Sequence, residues 1–373
     1  MGRKLLNLLL FLILIALIIG IIFGGIIIYQ EFFEDSPEQV VLQVNKIFSE
    51  EPDTEKKPET ETKTTSIGDL FQESNIIKNN ETTISNNSKY FYSQLNNTQK
   101  AIYDGLMQNK SYLKQGNYTI QFGTGFTDIL SQDGGADLLG DEYQAAIEAF
   151  THDNIDVFYL DVNKMYLNIE TRTKFLKTTY NVYISAAKDS NYLSKEFQST
   201  EKIERAIFEI EQEKNKILSN LKGTDYQNIL YVHDYLINNI EYDSTFEQQG
   251  SYTIYGALVG KRCVCEGYAK AFKYLTNCAG YECELIQGKA TNSSGQTESH
   301  AWNCIKLNDK WYEIDTTWDD PIVIGGNGRV TNEIKYRYFL KGTRSFEKDH
   351  TLEYQFSEKG RRFEYPNINQ NDF

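Results

Sequence analysis

A cysteine, a histidine and an aspartate follow one another in the last third of this 373-residue chain. Cys265 opens the run Cys265-Glu266-Gly267-Tyr268-Ala269, His300 opens the run His300-Ala301-Trp302-Asn303, and Asp315 comes after both. In covalent acyl chemistry a thiolate attacks a carbonyl carbon, an imidazole moves the proton, and a carboxylate orients the imidazole. The order of the three residues therefore predicts a nucleophile, a base and an orienting acid.

The cysteine is predicted to lie at the start of a helix. Over residues 266–279 apolar side chains recur every three or four positions, and Gly280 is the usual residue just past a helix end. The helix N-terminus stabilises a thiolate and lowers a thiol pKa from about 8.5 toward neutrality, and its N–H groups can receive an oxyanion. Cys263 is an alternative nucleophile, but we favour Cys265 because Cys263 would lie in the preceding turn.

A β-hairpin is predicted to carry the other two residues. The strand candidates cover residues 299–307 and 310–316, after an earlier candidate at residues 282–287. Asn308 and Asp309 separate the later two, and such a dipeptide tolerates positive φ in a two-residue turn.

The register of this hairpin decides whether the histidine meets the aspartate. If Leu307 pairs with Lys310, His300 and Asp315 share one face as a diagonal pair, roughly 7–8 Å apart at the backbone and within side-chain hydrogen-bonding reach. A three-residue turn would shift the register by one position and place them on opposite faces.

These motifs resemble the bacterial branch of the transglutaminase-like superfamily, whose fold is related to papain-type cysteine proteases. The resemblance covers residues from about 225 to the C-terminus and includes the run from Trp311 to Pro321 and the ending from Tyr336 to His350. It implies an α+β fold in which a nucleophile-bearing helix packs on an antiparallel sheet. It also implies that Cys265 is the nucleophile, His300 the base and Asp315 the orienting acid.

Three aromatic residues are further site candidates. Tyr255, Trp302 and Trp318 are predicted to bind substrate or to complete an oxyanion hole, and core packing is the alternative interpretation for each. His233 is a second candidate catalytic histidine, although a packed helix histidine with a local hydrogen bond is the favoured interpretation.

No metal or cofactor is predicted. The five cysteines lack the paired spacing of a zinc site, and the adjacent Asp319 and Asp320 lack the spaced oxygen ligands of a calcium loop, so they are expected to fix the turn before Pro321. Disulfides are permitted outside a membrane, with Cys278 and Cys283 as the nearest candidate pair. The equally supported interpretation is that these cysteines are small buried residues.

The first residues predict a membrane anchor. Residues 5–29 carry no charge, and about 25 residues rising ~1.5 Å each would cross a hydrocarbon core of ~30 Å. Arg3 and Lys4 precede this run and acidic residues follow it, which places the N-terminus in the cytoplasm and the remainder outside. A signal anchor is favoured over a cleaved signal peptide, because the run exceeds the ~7–15 residues of a signal h-region and no small-x-small site follows.

The chain is predicted to divide into four parts. Residues 1–29 form the cytoplasmic stub and transmembrane helix, 30–88 a flexible polar linker, 89–198 a helix-rich accessory region with a buried strand near Phe158 and Leu160, and 199–373 the transglutaminase-like domain. Within the linker, residues 31–47 would form a short helix or strand. A net charge of −14 and a pI near 4.9 argue against a nucleic-acid partner and against tight docking on anionic lipid.

The predicted function is cysteine-dependent acyl transfer on protein or peptide amides at the outer face of a cell membrane, with a cell-surface protein as one candidate substrate. If water is the acceptor, the protein is a cysteine peptidase or amidase instead. A third hypothesis is an inactive wall- or protein-binding module, but such a module needs none of the three residues. The oligomeric state is left open.

Overall fold

The computed structural model describes residues 38–43 (backbone), 89–174, 177–246, 248, 250–320, 332–353 and 363–373. The predicted transmembrane segment, and the linker except for residues 38–43, lie outside these residues. Among the described helices, none combines the length and the apolar character needed to cross a membrane.

The part of the chain before residue 200 combines helices with an antiparallel sheet whose strand order is β1-β3-β4-β2. The helix α4 buries apolar side chains such as Leu139, Tyr143 and Phe150 in the core of this part. The elements are β1 (Glu38–Gln43), α1 (Tyr90–Ser93), α2 (Asn97–Gln108), β2 (Ile120–Gly123), α3 (Thr127–Leu130), α4 (Gly135–Asp153), β3 (Tyr166–Lys174) and β4 (Lys177–Ser185), with 3₁₀ turns at Lys110–Gln115, Ile155–Val157 and Val162–Lys164.

Two features of this part differ from the helix-rich expectation. The nine-residue strands β3 and β4 pair along their whole length, and β1 pairs with β3, so residues 38–43 form a strand, one of the two structures expected within residues 31–47. The buried strand predicted near Phe158 and Leu160 is wrong. Leu160 donates its N–H to the carbonyl of Val157, as in a turn, and makes only one isolated bridge, to Leu193. The apolar side chains there are buried by successive tight turns without a strand ladder.

The rest of the described chain is a layer of helices on a second antiparallel sheet, with strand order β10-β7-β8-β9. Ser199 and Thr224 cap α5 and α6 with their hydroxyl oxygens, which satisfies N–H groups that have no partner inside a helix. The elements are α5 (Thr200–Leu218), α6 (Asp225–Asn239), β5 (Glu241–Tyr242), α7 (Ile254–Leu258), β6 (Arg262–Cys263), α8 (Cys265–Cys278), β7 (Cys283–Thr291), β8 (Thr297–Leu307), β9 (Lys310–Ile314), α9 (Asn332–Lys335), α10 (Thr343–Phe346) and β10 (His350–Leu352).

A buried lysine joins the two parts. Lys273 of α8 is 1% exposed, and its ammonium donates to the carbonyl oxygen of His152 at 2.8 Å and to Oε2 of Glu284 at 2.6 Å. Burial lowers the pKa of this amine, but the carboxylates of Glu284 and Asp153 outweigh burial and raise it. The amine is therefore held as a cation inside the protein, between the end of α4 and the sheet strand β7.

Candidate active site

Cys265 is the first residue of α8. Val264 precedes it with an extended backbone, and the helix begins with the bond from the N–H of Tyr268 to the carbonyl of Val264. Gly267 permits this arrangement, because a Cβ there would lie only 2.6 Å from the carbonyl oxygen of Ser251. The helix ends before Gly280, whose φ of +94° is typical of a residue that closes a helix. The predicted helix start is therefore confirmed.

The hairpin β8–β9 has the register that brings His300 to Asp315. Leu307 pairs with Lys310, and Asn308 and Asp309 both have positive φ, of 51° and 59°, as a tight two-residue hairpin turn requires. The result is a hydrogen bond of 2.8 Å between Nε2 of His300 and Oδ2 of Asp315. The predicted register and shared face are confirmed.

Asp315 is fully buried and is oriented by donors on both oxygens. Oδ1 accepts from the backbone N–H groups of Thr317 at 2.9 Å and Trp318 at 3.1 Å, while Oδ2 faces Nε2 of His300 and, at 3.2 Å, Nε2 of His350. Burial alone would raise the pKa of this carboxyl, but the two histidines outweigh burial and hold it well below its usual range. The group is thus an ionised, immobile acceptor.

His300 lies between Asp315 and Cys265. Burial opposes the charged ring, but the Asp315 carboxylate and a hydrogen bond with the Cys265 side chain together raise the pKa of His300 to about 10. Because Nε2 is engaged by Asp315, Nδ1 is the ring nitrogen left for the sulfur. The structure therefore brings the three residues together as a Cys–His–Asp chain, and their catalytic roles stay predictions.

Trp302 and Trp318 both lie beside His300, but their side chains differ in solvent exposure. Trp302 is 1% exposed and donates its indole N–H to Oε1 of Glu313 at 3.1 Å. That donor is therefore already used in the core, which favours core packing, the alternative interpretation, for Trp302. Trp318 is partly exposed, and its ring centroid lies 5.4 Å from that of His300. It forms part of the wall around the imidazole.

Tyr255 packs away from these residues. Its hydroxyl donates to Oε2 of Glu209 on α5 at 3.1 Å, and its ring packs against Phe158 and Phe197. The substrate-binding role predicted for it gives way to core packing, the alternative interpretation, because both ends of the side chain serve the contact between α7, α5 and the preceding part of the chain.

His233, Asp319 and Asp320 form buried structural contacts. Nδ1 of His233 faces Oδ1 of Asp234 at 3.1 Å, which is the local bond expected, and Nε2 faces Oδ2 of Asp319 at 3.0 Å. Asp319 also accepts from the N–H of Tyr338, and Asp320 accepts from the hydroxyl of Tyr268. These carboxylates hold the segment after β9 against α6 and α8.

All five cysteines lie in the described part of the chain and are free thiols. Cys278 and Cys283 are therefore not joined. Burial raises the pKa of Cys278 to about 11 and that of Cys283 to about 12, and it raises the pKa of Cys263 and Cys304 well above the ordinary value. These four are poor nucleophiles, which leaves Cys265 as the thiol with a base beside it.

His350 is a site residue that the sequence analysis did not single out. It begins β10, pairs with Ala290 of β7, and is 2% exposed. Possible ligand atoms of His300, Asp315 and His350 lie within 4.8 Å of one another. Hydrogen bonds among the three already account for these short distances, so the arrangement gives no reason to place a metal ion there. The available sequence signal was a histidine in the Tyr336–His350 ending, without a spacing that links it to Asp315.

Comparisons with known proteins find similarity over part of the chain. Residues 214–316 match the family model described as the Transglutaminase-like superfamily. The mouse protein named Kyphoscoliosis peptidase is 26% identical over 149 residues, covering 36% of this chain and 22% of that protein, and its human counterpart is 27% identical over 137 residues, covering 34% and 21%. The matched part thus spans about a fifth of the length of these curated relatives.

Solved structures give weaker similarities. A structure described as a TGase is 13% identical, with a TM-score of 0.28, over 45% of this chain and 47% of that one. A putative cysteine protease from Cytophaga hutchinsonii is 14% identical, with a TM-score of 0.26, over 41% and 57%. The periplasmic domain of TgpA from Pseudomonas aeruginosa is 12% identical, with a TM-score of 0.24, over 41% and 72%.

Residues 214–316 thus match a transglutaminase-like domain, and the described part of the chain has the α+β fold expected. The family match includes Cys265, His300 and Asp315 and ends one residue after Asp315, so His350 lies outside it.

Proposed function

We propose that this protein is a cysteine-dependent acyltransferase that acts on protein or peptide amides. The observation that carries the proposal is the position of the His300 ring, which contacts both the Cys265 side chain and the Asp315 carboxylate. A protonated ring in this position stabilises a thiolate on one side and is itself stabilised by a carboxylate on the other.

The first half of the reaction forms a thioester. The Cys265 thiolate attacks the amide carbonyl carbon, a C–S bond forms, and the carbonyl electron pair moves to oxygen. N–H groups in the first turn of α8 have no partner within the helix and can stabilise this oxyanion. His300 then gives its proton to the amide nitrogen, the C–N bond breaks, and ammonia or an amine leaves.

The second half transfers the acyl group. An acceptor attacks the thioester carbon, His300 takes the acceptor's proton, and Cys265 leaves as a thiolate, which restores the starting state. An amine acceptor yields a crosslink, whereas water yields deamidation or cleavage. Asp315 keeps the imidazole in place throughout because its four hydrogen-bonding contacts hold it rigidly.

The second candidate function is that of a cysteine peptidase or amidase. The mouse and human relatives are named as peptidases, which supports water as the acceptor. The third, an inactive binding module, is disfavoured because a binding surface does not require a buried Asp–His pair beside a thiol at a helix start.

We also propose that the domain acts at the outer face of a cell membrane, held there by residues 5–29. The support is the uncharged run of that segment and the excess of basic residues before it and acidic residues after it. A cell-surface protein is then the expected substrate class.

The test compares the purified full chain with its Cys265→Ala variant on glutamine-containing peptides and a labelled amine. Mass spectrometry follows amine incorporation, deamidation and peptide cleavage. Cys278→Ala is the matched control, because Cys278 lies at the other end of the same helix. We expect products from the native chain and the control but none from Cys265→Ala. Products that persist in Cys265→Ala, or their absence from the native chain, would contradict the proposal.

A further inference from the structure

The carboxylate that orients the base also holds a second histidine. Oδ2 of Asp315 lies 2.8 Å from Nε2 of His300 and 3.2 Å from Nε2 of His350. The proposed mechanism uses the first histidine and leaves the second without a role, although both are buried against the same oxygen atom.

His350 is fixed by contacts at its other nitrogen and on its faces. Nδ1 faces Oδ1 of Asp349 at 2.8 Å, and Oδ2 of Asp349 accepts from the hydroxyl of Tyr338 at 2.8 Å. The ring packs against Phe346, with centroids 4.1 Å apart, and against Trp318, with centroids 4.7 Å apart. A ring held in this way has little freedom to turn away from Asp315.

Both ring nitrogens of His350 face carboxylate oxygens. The side chains Cys265, His300, Asp315, His350 and Asp349 thus form a continuous series of polar contacts from the nucleophile to the partly exposed Asp349, beyond which Arg337 lies 3.7 Å away.

We propose that His350 is a positioning residue for the His300–Asp315 pair and that Asp349 fixes its ring, so that the reaction centre is a chain of five side chains. The assignment rests on the proposed function for its catalytic meaning. His350 holds Oδ2 of Asp315 in line with His300. Other ionisable groups that contact these five side chains are the Arg337 guanidinium and the Tyr338 hydroxyl, both at Asp349.

Two substitutions at His350 separate its hydrogen bond to Asp315 from its bulk. His350→Gln places an amide donor near the position of Nε2, whereas His350→Leu removes the donor. Each is made in the full chain, and the rate of Cys265 alkylation by iodoacetamide is measured against pH, because this readout needs no substrate. The kcat and KM for amide substrates are measured in parallel.

For His350→Leu we expect Cys265 alkylation at neutral pH to slow about tenfold and kcat to fall on the order of 10²-fold with KM unchanged, because misplacement of a catalytic group by about 1 Å has effects of that size. For His350→Gln, whose amide keeps a donor to Oδ2 of Asp315, we expect most of both rates to be retained. Native rates in His350→Leu, or losses in His350→Gln as large as those in His350→Leu, would overturn the proposal.

The matched variants Asp349→Asn and Asp234→Asn test whether the series of contacts extends to Asp349. Nδ1 of His350 faces Oδ1 of Asp349, and Nδ1 of His233 faces Oδ1 of Asp234 in the same way. Of these two histidines, only His350 contacts Asp315. We expect Asp349→Asn to slow Cys265 alkylation, as His350→Leu does, because the His350 ring loses the contact that fixes it, and Asp234→Asn to leave the alkylation rate unchanged. Equal Cys265 alkylation profiles for Asp349→Asn and Asp234→Asn would show that Asp349 does not fix the His350 ring. If the native chain shows no amide activity, the proposed function fails, and the alkylation profiles alone still decide the positioning role.

Discussion

The side-chain amide of Asn303 donates to the main-chain carbonyl oxygen of Ala269 at 2.9 Å. Asn303 lies on β8 three residues after His300, and Ala269 lies in the second turn of the helix that Cys265 begins. The same amide also lies 3.3 Å from the carbonyl of Glu284 on β7. One buried side chain thereby fixes the distance between the strand that carries the base and the helix that carries the nucleophile.

We expect Asn303→Leu to slow Cys265-dependent turnover on the order of 10²-fold, because the strand and helix lose the bonds that set their spacing. The rate of Cys265 alkylation at neutral pH, measured with the thermal unfolding midpoint, reports the effect. Asn277→Leu is the control, because Asn277 accepts from the N–H of Cys283 at the far end of the same helix. A control variant as slow as Asn303→Leu would contradict this reasoning.

The five thiols should differ sharply in reactivity. Cys265 is partly exposed and contacts His300, whereas Cys263, Cys283 and Cys304 are fully buried with raised pKa values. We expect iodoacetamide to modify Cys265 first in the native protein, Cys278 slowly, and the other three only in denaturant. Peptide mass spectrometry after timed quenching gives the order, and early modification of Cys263 would make that residue the better nucleophile candidate.

Asp315→Asn should leave the fold intact but reduce kcat by about 10³–10⁴-fold, since an amide in that position no longer stabilises the imidazolium or fixes its tautomer. The loss of the ionised partner should also lower the pKa of His300. Steady-state kinetics with the alkylation profile measures both. A variant that retains a tenth of native activity would show that Asp315 is not the orienting acid.

His300 also makes the stability of the folded protein depend on pH. The pKa of His300 is raised in the folded protein to about 10, from an ordinary value of 6.5, so its protonated form stabilises the fold fully below pH 6.5. That contribution declines as the pH rises and is lost as the pH passes about 10. We expect the urea midpoint of the native chain to fall over this interval more than that of His300→Gln. Parallel curves for the two proteins would contradict the shift.

Lys273→Met should lower the free energy of unfolding by about 3–5 kcal/mol, because buried Glu284 loses its cationic partner and must take up a proton or remain an unpaired charge. Urea unfolding measures the loss, and Lys273→Met combined with Glu284→Gln should recover part of it. Lys270→Met is the control on the same helix, since its ion pair with Glu266 is partly exposed and should contribute less than about 1 kcal/mol. A similar loss of unfolding free energy in Lys273→Met and Lys270→Met would indicate that either substitution simply destabilises α8.

The sequence predicted the site where local rules determine geometry. Asn308 and Asp309 accept positive φ, so the turn length fixed the register and with it the meeting of His300 and Asp315. His350 could not be predicted in this way, because its contact with Asp315 depends on how β10 returns to pair with β7 across 35 residues of sequence. No local pattern encodes that distance.

The strands β3 and β4 were missed for a different reason. The residues between them are Phe175 and Leu176, which lack the glycine, asparagine or aspartate typical of a two-residue hairpin turn. The hydrogen bond that holds Trp302 in the core could not be predicted, because nothing in the sequence shows that Glu313, one strand away, accepts from its indole N–H.

The buried ammonium of Lys273 limits how this protein can be divided or recombined. A gene fragment starting at Ser199 would encode Cys265, His300 and Asp315 but would lack the His152 carbonyl that accepts the lysine's hydrogen bond and the Phe91 ring beside the ammonium. The part from Ser199 onward is therefore not a portable module. Grafting it onto another protein would require residues 89–198 to travel with it, or a simultaneous replacement of Lys273 and Glu284 by apolar side chains.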